Sequence, residues 1–124
     1  MDIVFKKISY EDYLSQVKTL FRIEDEHWIR IQYDYLKEPS WVEGRTYELY
    51  CPDNFYVPEE QMFVIPTGFR CVSKCDKPKV DVLIDTGNPV FVADQTEDHI
   101  MLCGTMGKNS CFTAGQPILR LTFE

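Results

Sequence analysis

The chain has no apolar run approaching the roughly 20 residues a helix needs to cross a bilayer, so no membrane span is expected. It has no cluster of Lys or Arg. Its 13 basic residues are outnumbered by 20 acidic ones, and the net charge is −7. Such a surface repels phosphate backbones, which argues against nucleic acid as a general partner. The opening Met1-Asp2-Ile3-Val4-Phe5-Lys6-Lys7 is too short and too charged for a secretion signal. Five cysteines, an odd count, suit free thiols in a reducing compartment better than a disulfide framework. The expectation from these absences is a soluble, intracellular protein with no cofactor. No internal repeat and no low-complexity tract is visible.

What is present suffices for a single domain. A chain of 124 residues, 44% apolar and 14% aromatic, can bury a core without a metal or a disulfide. Ile3 to Ile8 reads as a first strand. Ser9 followed by Asp12 resembles a capping box. Tyr10, Tyr13, Leu14, Val17, Leu20 and Phe21 keep helical spacing, which predicts an amphipathic helix over 10–21. Ile29, Ile31, Tyr33 and Tyr35 alternate with Arg30, Gln32 and Asp34, which predicts a half-buried strand ended by Pro39-Ser40. From Gly44 onward the pattern is β throughout. Strands are predicted over Thr46–Cys51, Met62–Ile65, Val80–Ile84, Val90–Val92, Ile100–Cys103 and Ile118–Phe123. Between them stand Pro52-Asp53-Asn54, Pro66-Thr67-Gly68, the charged segment Lys74–Lys79, Asp85-Thr86-Gly87-Asn88-Pro89 and Asp94–Asp98. Short strands at intervals of ~8–12 residues suggest a sandwich or barrel.

Three segments carry a family resemblance. Thr46-Tyr47-Glu48-Leu49-Tyr50-Cys51 stands where an A-G-x-D-L strand would be. Ile65-Pro66-Thr67-Gly68 is an intact I-P-T-G, and Gly115-Gln116-Pro117-Ile118-Leu119-Arg120 closes the series. In order and spacing, residues 44–124 resemble the dUTP pyrophosphatase (dUTPase) family. The small dUTPase-related early proteins of adenoviruses, which share the Gly-x-Pro-aliphatic step, are the nearer comparison. The resemblance implies a mainly β, dUTPase-like barrel or sandwich of jelly-roll type with one N-terminal helix. Residues 1–43 would be a helix-containing extension and 44–124 the β core. Family enzymes also have an Arg-Ser-Ser-Gly phosphate segment, a water-activating Asp followed by a stacking Tyr, and a Gly-rich C-terminal arm. None is recognisable here. Triphosphate hydrolysis needs a held Mg²⁺, oriented phosphates and an activated water. The expectation is therefore a non-enzymatic viral or phage protein that binds a host protein, in the host cell cytoplasm or nucleus. The family also permits a homotrimer. A retained nucleotide site would rest on Glu48, Asp85 and the backbone around Gly115.

Other constellations compete with that reading. Val82-Leu83-Ile84-Asp85-Thr86-Gly87 matches the surroundings of the catalytic Asp in small homodimeric aspartic proteases, where two carboxyls share a proton. The plain alternative is a turn, since Asp, Gly, Asn and Pro all favour one. Cys71, Cys75, Cys103 and Cys111 could make a four-thiolate zinc site, but the gaps of three and seven residues are irregular. Cys71 and Cys103 also suit small buried strand positions, and no metal is expected. His27 and His99 have no nucleophile motif beside them and read as surface or satisfied histidines. Glu24-Asp25-Glu26 reads as a solvated loop. Trp28, Tyr33, Tyr35 and Trp41 are either core or, where exposed, anchors for a protein partner.

Overall fold

The structure is a computed structural model that describes residues 3–20, 25–72, 78–85, 87, 90–93 and 99–123. Local chemistry starts each helix. Ser9 precedes α1 (Tyr10–Leu20), and its Oγ accepts the Asp12 amide at 3.1 Å, the N-cap read from the sequence. Glu11 and Asp12 in the first turn and Lys18 in the last complement the helix dipole. Tyr13 and Val17, four residues apart, are buried.

The expected strand over Ile29–Tyr35 is instead a second helix, α2 (Glu26–Asp34), so the N-terminal part holds two helices and not one. The carboxylate of Asp25 accepts the amides of His27 at 3.0 Å and Trp28 at 3.2 Å, which caps the first turn. Ile29 and Tyr33 turn inward to pack with Ile8, Tyr10, Tyr13 and Val17, while Ile31 and Tyr35 turn outward. In so short a window, alternate apolar positions fit a strand. They also fit two opposite faces of a helix. The capping carboxylate and the apolar surface of α1 decide for the helix.

Among the described residues ten strands, numbered along the chain, make the protein mainly β. One antiparallel sheet has the order β1 (Phe5–Lys7), β5 (Met62–Cys71), β8 (His99–Thr105), β7 (Val90–Ala93). A second has β2 (Ser40–Glu43), β3 (Thr46–Tyr50), β10 (Pro117–Thr122), β6 (Lys79–Val82). β4 (Phe55–Val57) and β9 (Ser110–Phe112) form a two-stranded ribbon. The described strands do not close into the expected barrel. All three sheets do feed one core. Ile65 and Leu102 come from the first sheet, Leu49, Leu119 and Leu121 from the second, and Val57 and Phe112 from the ribbon. The first 43 residues belong to this architecture, because β1 extends one sheet and β2 the other.

β2, β4 and β9, three or four residues long, are absent from the sequence expectation. The opposite correction applies to β5, which does not stop at Ile65 but runs through Pro66-Thr67-Gly68 to Cys71. Pro66 has no N–H for a ladder. It lies beyond the end of β1, whose last pair is Lys7 with Phe69, so no neighbour on that side requires one. A register shift between Pro66 and Arg70 takes up the distortion, with Gly68 at φ 80° and the Thr67 hydroxyl donating to the Ile100 carbonyl at 2.8 Å. Among the described residues no helix is long and apolar enough to cross a membrane.

Candidate functional site

A nucleotide site needs unspent donors for phosphate. Around Gly115 there are none in the turn itself. The Thr113 amide donates to Gln116 Oε1 at 3.0 Å and the Ala114 amide to Asn54 Oδ1 at 2.9 Å. The Gly115 amide donates to the Cys51 carbonyl at 2.9 Å and the Gln116 amide to the Thr113 carbonyl at 3.0 Å. Gly115, at φ 79°, serves the turn. Glu48 is likewise engaged, since Arg120 Nη2 donates to its carboxylate at 2.5 Å across the β3–β10 pair. Glu48, Asp85 and the Gly115 turn are thus each engaged in bonds within the chain.

Asp85 lies in the turn after β6, as the plain reading has it. Its Oδ1 accepts the Gly87 amide at 3.1 Å and its Oδ2 accepts Lys108 Nζ at 2.5 Å. The hydrogen bond from Lys108, then that from the Gly87 amide, hold its carboxyl below the usual carboxylate range. An acid of a protease dyad must share a proton with a second carboxyl. An exposed carboxylate clamped by an ammonium is set up for the opposite state. The turn packs closely on the β8–β9 connection: a Cβ on Gly107 would stand 2.8 Å from the Gly87 carbonyl carbon. Thr86, Asn88 and Pro89 lie outside the described residues.

Of the zinc candidates, Cys75 lies outside the described residues. Cys103 is buried, Cys71 half-buried and Cys111 exposed, and no group of three metal-ligating side chains forms among the described residues. His99 is a satisfied core histidine. Its Nδ1 meets Gln16 Nε2 at 2.9 Å, and its Nε2 stands 4.0 Å from the Asp12 carboxylate. His27 is exposed on α2.

The four aromatic candidates separate. Tyr33 belongs to the helix-packing core: its ring meets Tyr10 edge-on at 5.4 Å, Lys7 Nζ lies 4.0 Å from its centroid, and its hydroxyl donates to the Ile8 carbonyl. Burial pushes its hydroxyl pKa up and that of the Lys7 ammonium down. The other three are outside. Trp28 is 48% exposed, Tyr35 84% and Trp41 64%. Trp41, on β2, donates its indole N–H to the Gly44 carbonyl at 2.8 Å. Trp28 and Ile31, which is 37% exposed, share a face of α2, and Tyr35, its C-cap, continues that face. The three fall at i, i+3 and i+7, the spacing of one helix stripe.

A polar chain holds that stripe from below. The hydroxyl of buried Tyr13 donates to Gln32 Oε1. Gln32 Nε2 donates to Asp53 Oδ2 at 2.7 Å, and the Trp28 indole N–H donates to the same oxygen at 2.8 Å. Asp53 Oδ1 accepts the Asn54 amide at 2.7 Å. Desolvation drives the Tyr13 hydroxyl far above its usual pKa, so it remains a donor. Nearby, desolvation pushes the Cys51 thiol up to about 12. Sequence reading missed Ile31 and Asp53, because both gain their roles only once 26–34 is a helix. No protein-family model matches the chain, and neither a curated protein nor a solved structure does.

Proposed function

We propose that the chain is a non-catalytic, dUTPase-like protein of viral or phage origin that acts by docking on a host protein. The observation that carries the reading is the exposed row Trp28, Ile31 and Tyr35 on α2, with the Trp28 indole held by Asp53. Trp and Tyr bring large contact area with little rotamer freedom to lose, and an indole already hydrogen-bonded loses less still. Anchors at i, i+3 and i+7 fit an apolar groove that receives a short helix. The reading is further supported by the engagement of Glu48, Asp85 and the Gly115 turn in internal bonds.

The test is a photo-crosslinking amino acid at position 35 in the intact protein inside host cells. The expected outcome is one discrete protein adduct. It is lost on Trp28→Ser with Ile31→Ser and kept on Asp85→Asn. The reading falls if a deoxynucleoside triphosphate with Mg²⁺ stabilises the protein saturably, by ~2.7 kcal/mol at 100 times its Kd, or is hydrolysed.

A further inference from the structure

β6 closes one edge of the second sheet, paired on its inner side with β10. The Leu83 amide donates to the Ile118 carbonyl at 2.9 Å, and the register pairs Asp81 with Arg120 and Lys79 with Thr122. In an antiparallel ladder, hydrogen-bonded and non-hydrogen-bonded pairs alternate. Residues 79, 81 and 83 therefore spend their backbone groups on β10. The N–H and C=O of Val80 and Val82 point to the open edge, where no described residue pairs with them. Val80, on the core side of the sheet, is still 39% exposed.

The side chains on the other face form a row of alternating charge. Glu48 on β3 binds Arg120 on β10, and Arg120 has Asp81 of β6 on its far side. Among the described residues the row ends at Asp81 with no cation beyond it. Lys79, two residues along the same face, forms no ion pair with any described residue and is exposed. We propose that the outer edge of β6 is a self-association surface, on which a second copy of the chain pairs its own β6 antiparallel about a two-fold axis through Val80.

Charge selects that register. With Val80 opposite Val80 of the other copy, Lys79 of each chain stands opposite Asp81 of the other. Both pairs occupy non-hydrogen-bonded sites, where side chains come closest. The row then reads Glu48, Arg120, Asp81, followed by the other copy's Lys79. Shifting by one pair puts Asp81 against Asp81, which is repulsive. Val82 donates to the Pro78 carbonyl of the other copy. Pro78 has no N–H, which suits the end of a short edge strand. The contact is smaller than a standard protein interface, so the dimer is weak and concentration-dependent.

Sedimentation equilibrium of the full chain, up to millimolar concentration, tests the proposal. The native protein is expected to show a monomer–dimer equilibrium. Lys79→Asp and Asp81→Lys should each weaken it about tenfold or more. Mixing the two variants should restore association as a heterodimer, because every facing pair is then opposite in charge. Val80→Pro removes an amide that β10 does not use, so it should keep the monomer folded and abolish the dimer. A native chain that stays monomeric overturns the proposal. So does a dimer indifferent to the charge variants. If Val80→Pro fails to fold, the mixing experiment still decides.

Discussion

At the scale of single residues, burial sets chemistry that the residue type alone does not. Cys51 and Cys111 are the same thiol in sequence. Cys51 is buried, with its proton held up to about pH 12, and Cys111 is exposed on β9. A disulfide reagent at neutral pH is expected to modify Cys111 quickly and Cys51 only on unfolding, as read by mass spectrometry of the labelled peptides. The same shift predicts alkaline lability. The folded pKa of Cys51 lies above its ordinary 9.0, so its contribution to stability is intact below about pH 9. It is lost as pH rises toward 12, at a slope on the order of 1.4 kcal/mol per pH unit. Tyr13, also raised, adds its own loss above its ordinary 10.0. Urea unfolding across about pH 8 to 11 should show the fall, and Cys51→Ala should flatten its first part. Tyr13→Phe leaves the buried Gln32 carbonyl without its donor and is expected to cost about 1–3 kcal/mol at neutral pH, by the same measurement.

At the scale of elements, caps and close approaches matter more than propensity. Asp25 turns an ambiguous apolar pattern into α2, so Asp25→Ala should cost about 1 kcal/mol and lower helical circular dichroism. The Asp85 turn is tied to the β8–β9 connection by the Lys108 pair and by the contact of Gly87 with Gly107. Gly107→Ala must push backbone from backbone and is expected to cost about 1–3 kcal/mol in thermal unfolding, whereas Lys108→Met, at an exposed ion pair, should change stability little. α1 was legible because its cap, its spacing and its length agreed. β2, β4 and β9 were not legible. β5 was cut short in the sequence reading because Pro66 ends a strand only where a neighbour needs its amide, and no local pattern tells where β1 stops.

At the scale of the whole molecule, Asp53 shows how the parts are coupled. It sits in the turn after β3 and its neighbour Cys51, yet it fixes Trp28 and Gln32 on α2, and through Gln32 it reaches Tyr13 on α1. Asp53→Ala is expected to free the indole, shift its emission to the red in a Trp41→Phe background, and lower stability by about 1–3 kcal/mol, because Gln32 is buried. The sequence by itself determined a mainly β chain, the acidic balance, the first helix and the turn at Asp85. Those follow from composition and from spacings of a few residues, which act locally. Only the tertiary structure decided that 26–34 is a helix, that Tyr33 is core while Trp28, Ile31 and Tyr35 face outward, and that Glu48, Asp85 and the Gly115 turn are already bonded. Most of those depend on partners far along the chain, as Glu48 on Arg120, 72 residues away, and Trp28 on Asp53, 25 residues away, and burial by such partners leaves no mark on local sequence pattern.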